Sequence, residues 1–95
     1  MKYELEIKEE ANQEIVEAYL YYEKQQVGLG ERFLENLKVY IDRVANYPEH
    51  YAIKRPPYRE AFIKKFPYLI VYEFIAEKVI VYSVFNTWQD PNKKP

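Results

Sequence analysis

From Lys2 to Lys8 apolar and polar residues alternate, with Tyr3, Leu5 and Ile7 set against Lys2, Glu4, Glu6 and Lys8. A period of two predicts a half-buried strand with one polar face. After that the period changes. Ala11, Ile15, Ala18, Tyr19 and Tyr22 fall at i, i+4, i+7, i+8 and i+11, one face of an α-helix over residues 9–24. Glu9 and Glu10 suit its first turn, where carboxylates meet the positive end of the helix dipole. Gly28 and Gly30 interrupt the stripe, and Phe33, Leu37, Tyr40, Ile41 and Val44 then repeat the same spacing. The second helix should stop near Asn46–Tyr47, because Pro48 disfavours helical geometry in the residue before it. Two amphipathic helices with a short joint predict an antiparallel hairpin. Neither stripe is stable in water alone, so both need a sheet to cover.

Residues 48–57, PEHYAIKRPP, hold three prolines and read as a loop. Tyr58 to Ile63 predicts a strand. The stretch YLIVYEFI is apolar or aromatic on both faces, with Tyr68, Ile70, Tyr72 and Phe74 on one and Leu69, Val71 and Ile75 on the other. A turn at Ala76–Glu77–Lys78 leads into VIVYSVF, apolar on both faces again. Strands of this kind are central ones. The order β-α-α-β-β-β, with the last three strands paired locally as a meander, predicts an α+β domain. The helical hairpin covers one face of a small, mainly antiparallel sheet and buries Ile15, Tyr19, Phe33, Leu37, Ile41 and Val44. The other face is apolar too, and is expected to meet a partner or a second copy of the chain.

Ninety-five residues fit one domain, 1–95, with 88–95 a candidate flexible tail. Eleven Tyr, five Phe and one Trp are more rings than a small core needs, so some are expected at a surface. Cysteine is absent, which removes disulfides and thiolate zinc sites and fits a reducing compartment. No signal-peptide h-region opens the chain and no apolar run approaches ~20 residues, so a cytoplasmic protein without a membrane span is expected. Net charge is −1, yet it is unevenly spread. Residues 1–50 carry six Lys/Arg against eleven Asp/Glu, whereas residues 51–95 carry eight against four. Lys54, Arg55, Arg59, Lys64 and Lys65 fall within twelve positions, a pattern that suits an anionic partner as well as a solvated surface.

Ordinary hydrolase machinery is missing from the sequence. His50 is the one histidine and Ser83 the one serine, no triad pattern surrounds them, and no glycine-rich phosphate loop exists. No cofactor and no metal are expected. What remains is a set on and after the sheet strands: Arg59, Lys64 and Lys65, then Tyr68 and Tyr72, then Asn86, Thr87, Trp88 and Gln89. Cations among rings and amides suit nucleic acid. They suit a protein groove equally well.

Several segments, taken in order, resemble the RelE/ParE toxin superfamily. They are Ala11, Glu14, Ile15, Ala18 and Tyr21–Glu23 in the first helix, GLGERFLENL at 28–37, YPEHY at 47–51, YREAFIKKFPYLIVYEF at 58–74 and IVYSVFNTWQDPNK at 80–93. The resemblance implies the toxin half of a bacterial type II toxin–antitoxin pair of the plasmid-stabilisation kind, growth-inhibiting and held inactive by a cognate antitoxin. It also makes the segment after the last strand the working end. Many members place a His where this chain has Asn86 and an Arg at or near Gln89, before an Asp-Pro like Asp90–Pro91. The members that cut messenger RNA on the ribosome use cations that would fall near Leu69 and Thr87, and a late Tyr that the chain lacks before Pro95.

The segment at 58–74 looks closer to the ParE-like branch, which poisons DNA gyrase by binding. Three readings follow. One is a ParE-like toxin that acts by binding. Another is a RelE-like, ribosome-dependent endoribonuclease, with Arg59, Lys64 and Lys65 as its candidate catalytic cations. The third is a non-toxic relative kept as an interaction module. The expected binding rim is Arg59, Lys64, Lys65, Tyr72, Asn86, Trp88 and Gln89, positive and polar, with Arg59 lying near the tail. Expected partners are the antitoxin, gyrase or the ribosome with its mRNA, and a second copy of the chain.

Overall fold

A computed structural model describes residues 3–94. Strand β1 (Glu4–Ile7) leads into helix α1 (Glu9–Gln25) and helix α2 (Leu29–Asn46). After a 3-10 turn at Pro48–His50 come β2 (Ile53–Arg55), β3 (Tyr58–Phe62), β4 (Tyr68–Ile75) and β5 (Lys78–Asn86). The five strands form one sheet in the order β1-β5-β4-β3-β2, with β1 parallel to β5 and every other pair antiparallel. Among the described residues no helix is long and apolar enough to cross a membrane.

The hairpin joint explains both glycines. Gly28 sits at φ +89°, a left-handed conformation that side-chain-bearing residues seldom adopt. Gly30 lies where α2 crosses α1 so closely that a Cβ there would stand 2.7 Å from the Tyr19 carbonyl oxygen and 2.8 Å from its ring. Glu23, near the end of α1, accepts the N–H groups of Gly28 and Gly30, each at 3.0 Å. One carboxylate thereby supplies acceptors that the first turn of α2 would otherwise lack.

Alternation along β4 sorts as the sequence predicts. Tyr68, Ile70, Tyr72 and Phe74 join the core beneath the helices, with Phe33, Leu37, Ile41 and Val44 of α2 and Val79, Val81 and Val84 of β5. Ile15 and Tyr19, expected in this core, are only partly buried. Part of the surplus of aromatics interlocks beneath the helices, while Tyr21, Tyr47, Phe62 and Trp88 are exposed. Phe33 packs against Phe66 and Tyr68 at centroid distances of 5.3 and 5.2 Å, and Tyr22 meets Phe66 at 4.9 Å.

Two expectations are corrected. The stretch read as a loop at 48–57 contains β2, a three-residue edge strand paired with β3. Second, the far face of the sheet is closed in its centre by the chain itself. Leu69, Val71 and Phe85 are buried there with Tyr58 packed on them. The segment after β5 returns across this face and forms a short turn at Pro91–Lys93. Lys94 Nζ then lies 3.2 Å from the Glu60 carboxylate and 6.0 Å from the centre of the Phe85 ring. Within the stretch read as a candidate flexible tail, Lys94 makes these contacts while residues 88–93 are exposed; Pro95 lies outside the described residues. Exposed apolar side chains on the strands include Ile53 on β2, Phe62 at the end of β3 and Ile75 at the end of β4.

Candidate target- and partner-binding site

Beyond Val81, β5 outruns its parallel neighbour, since β1 ends at Ile7 opposite that residue. The edge of β5 is thus open to helix α1. Glu14 fills the gap, its Oε1 accepting the Ser83 hydroxyl at 2.8 Å and the Val84 N–H at 3.0 Å. An irregularity in the β4–β5 ladder, where Val71 pairs with Ser83 but Tyr72 pairs with Val81, lies next to this contact. Burial pushes the Glu14 carboxyl above the usual carboxylate range, against the two hydrogen bonds that lower it, and Glu10 and Glu17 add to the rise.

At its end β5 turns sharply. Asn86, opposite Tyr68, donates from Nδ2 to the Tyr68 hydroxyl at 3.4 Å and accepts the Trp88 N–H on Oδ1 at 2.9 Å. Thr87 donates both its N–H and its hydroxyl to the Pro67 carbonyl, at 2.8 and 3.0 Å. This ties the tail to the 63–67 loop, which carries the exposed Lys64 and Lys65. Gln89 is exposed and its N–H is held by the Asn86 carbonyl at 3.0 Å. Trp88 is 80% exposed. Between this turn and α1 lies a cleft of about 220 Å³ walled by Glu14, Glu17, Tyr21, Tyr68, Asn86 and Trp88, among others.

Of the residues expected to share one positive rim, Lys64, Lys65, Asn86, Trp88 and Gln89 lie at one end of the sheet, and the last three border the cleft. The structure places Arg59 and Tyr72 elsewhere. Arg59 pairs across with Tyr72, four residues along β4 from Tyr68 and so roughly 13 Å further down the sheet. Arg59 Nη1 donates to the Tyr51 carbonyl at 2.6 Å, and the Tyr72 hydroxyl donates to the Pro48 carbonyl. Tyr72 is fully buried, and burial drives its hydroxyl pKa far up. A ring with no exposed surface cannot touch a partner, so Tyr72 is a core residue that fastens the 48–51 segment. Beside that segment is a larger cavity, about 590 Å³, lined by Tyr3, Arg43, Asn46, Tyr47, His50 and Tyr51, among others.

Charge at this end of the sheet is also divided. Lys65 borders a separate depression on the α2 side, with Arg32, Asn36 and Phe66. The α1 side presents Glu14 and Glu17 instead. Sequence reading missed these acids because Glu14 and Ser83 are 69 positions apart, and nothing local to either announces the contact. A faint signal existed: Glu14 belongs to the helix text that carries the superfamily resemblance.

Comparisons with known proteins agree with this geometry. A family model described as the ParE toxin of the type II toxin–antitoxin system parDE matches residues 5–91. No curated protein matches the chain. Among solved structures, a chain of the "Chromosomal ParDE TA system from P. aeruginosa" superposes with a TM-score of 0.79 at 9% identity. The superposition covers 90% of this chain and 96% of that one, a likeness of fold. With the family model spanning nearly all of β1 to the Pro91–Lys93 turn, the chain belongs to the ParE toxin family of type II toxin–antitoxin systems.

Proposed function

We propose that the chain is a toxin that arrests growth by binding an essential target, DNA gyrase in the first instance, and that a cognate antitoxin neutralises it. The observation that carries binding over RNA cleavage is the chemistry at the end of β5. Asn86 and Gln89 stand where many members of the superfamily would place a His and, at or near Gln89, an Arg, and Asn86 has both ends of its amide engaged within the chain. An amide cannot exchange protons near neutral pH. Leu69, where the resemblance would put a sheet arginine, is buried in an apolar cluster. Electrostatic stabilisation of a cleaving phosphate would lack its main cations. Lys64, Lys65, Trp88 and Gln89 remain exposed at this end and form the proposed target-facing rim.

Induced expression in a bacterial host tests the proposal. Growth should arrest, and co-expression of the product of the adjacent reading frame should restore it. Unimpaired growth with folded protein accumulating would contradict toxicity.

A further inference from the structure

We propose that the cleft between α1 and the end of β5 is a receptor for a basic side chain, an arginine or lysine presented by an amphipathic segment of the antitoxin. The inference rests on the antitoxin reading above and adds the chemistry by which this face is recognised.

The cleft offers what a guanidinium or ammonium group requires. Glu14 commits Oε1 to Ser83 and Val84, while among the described residues no donor reaches its Oε2. Glu17 stands exposed on the same wall, and among the described residues no Lys or Arg borders the cleft. Rings complete the site: Tyr21 and Trp88 are 54% and 80% exposed, and their faces attract a cation while covering its apolar stem. An entering cation would also offset the burial cost that already lifts the Glu14 carboxyl from its ordinary range.

The surface beside the cleft indicates the carrier of that cation. Helix α1 holds five glutamates, at positions 9, 10, 14, 17 and 23, against the single Lys24. Val16 and Leu20, one turn apart, are 55% and 58% exposed and adjoin Glu17 and Tyr21 in sequence. An apolar pair bordered by carboxylates is complementary to a basic amphipathic segment, whose apolar residues cover Val16 and Leu20 while its base enters the cleft. Phosphate would be repelled by the same carboxylates, so the acidic side suits a protein rather than a nucleic acid.

The test measures binding of the full chain to the full-length product of the adjacent reading frame, with Glu14→Gln and Glu17→Gln as variants. Glutamine keeps the acceptor that Ser83 and Val84 require, and Glu17 is exposed, so at least the second variant stays folded. Trp88 is the only tryptophan of this chain, so with any tryptophan of the partner replaced by phenylalanine its emission reports occupancy of the cleft. The expected result is a shift of Trp88 emission on binding, and affinity about tenfold or more weaker in the variants. Replacing one particular Arg or Lys of the antitoxin by Gln should give a loss that does not add to that of Glu17→Gln. Equal affinity of parent and variants would overturn the inference while leaving neutralisation intact. Failure of the parent itself to bind would remove the reading on which it rests.

Discussion

The Glu14 carboxylate and the Ser83 hydroxyl, 69 positions apart in the chain, meet at 2.8 Å and join the first helix to the last strand. Burial raises the Glu14 pKa, so the folded state holds that proton more tightly than the unfolded chain. Stability therefore falls as pH rises from the unfolded carboxyl pKa through the raised folded value. Glu6 acts in the opposite sense. Lys78 and Lys8 lower its pKa to about 2, so its contribution is lost only as pH falls toward that value. Thermal melts from about pH 4 to 7 should show Glu14→Gln losing less stability with rising pH than the parent. A variant whose pH profile parallels the parent's would contradict the burial argument.

The close crossing of the helices gives a second prediction. Gly30→Ala puts a Cβ at 2.7 Å from a backbone oxygen of α1, which cannot swing away as a side-chain tip could. Overpacking of this kind costs about 1–3 kcal/mol, and the denaturation midpoint should drop accordingly. An unchanged midpoint would mean that the hairpin opens freely there.

Tyr72 and Arg59 are assigned to holding the 48–51 segment. Tyr72→Phe keeps the ring but strips the Pro48 carbonyl of its donor, a loss of about 1–3 kcal/mol at a buried site. Amide exchange should quicken around 48–52 in both Tyr72→Phe and Arg59→Ala. Loss of target binding in Arg59→Ala, with exchange in that segment unaltered, would instead return Arg59 to the binding rim.

For the core, Leu37→Ala should cost about 2–5 kcal/mol, a large part of a small domain's stability. Leu37 is 4% exposed and faces the sheet. A variant as stable as the parent would show that the hairpin does not rest on the strands as described.

The helices and the three long strands were legible because each repeats a period long enough to read. Phe33, Leu37, Ile41 and Val44 mark one face of α2, and the two apolar faces of β4 mark a central strand. Strand β2 was not legible. Its three residues are all exposed and owe their conformation to pairing with β3, which no local pattern encodes. The cover on the far sheet face was hidden for a similar reason, since Lys94 and Glu60 lie 34 positions apart. Candidate site residues were half legible. Lys64, Lys65, Asn86, Trp88 and Gln89 fall at one end because β3, β4 and β5 form a meander, as expected. Arg59 was misplaced because three further residues of β3 carry the chain away before that end is reached.

The most direct test of the central claim, action by binding, sets purified protein against two substrates, with Mg²⁺ and ATP supplied to the gyrase reaction, Mg²⁺ to the ribosomes, and naked RNA kept free of metal. One is DNA gyrase with relaxed plasmid; the other is RNA, both naked and on translating ribosomes. The account predicts that supercoiling is inhibited in proportion to toxin bound, that antitoxin reverses the inhibition, and that RNA stays intact in both forms. Rapid cleavage of RNA, lost when Lys64, Lys65 or Asn86 is replaced, would contradict it.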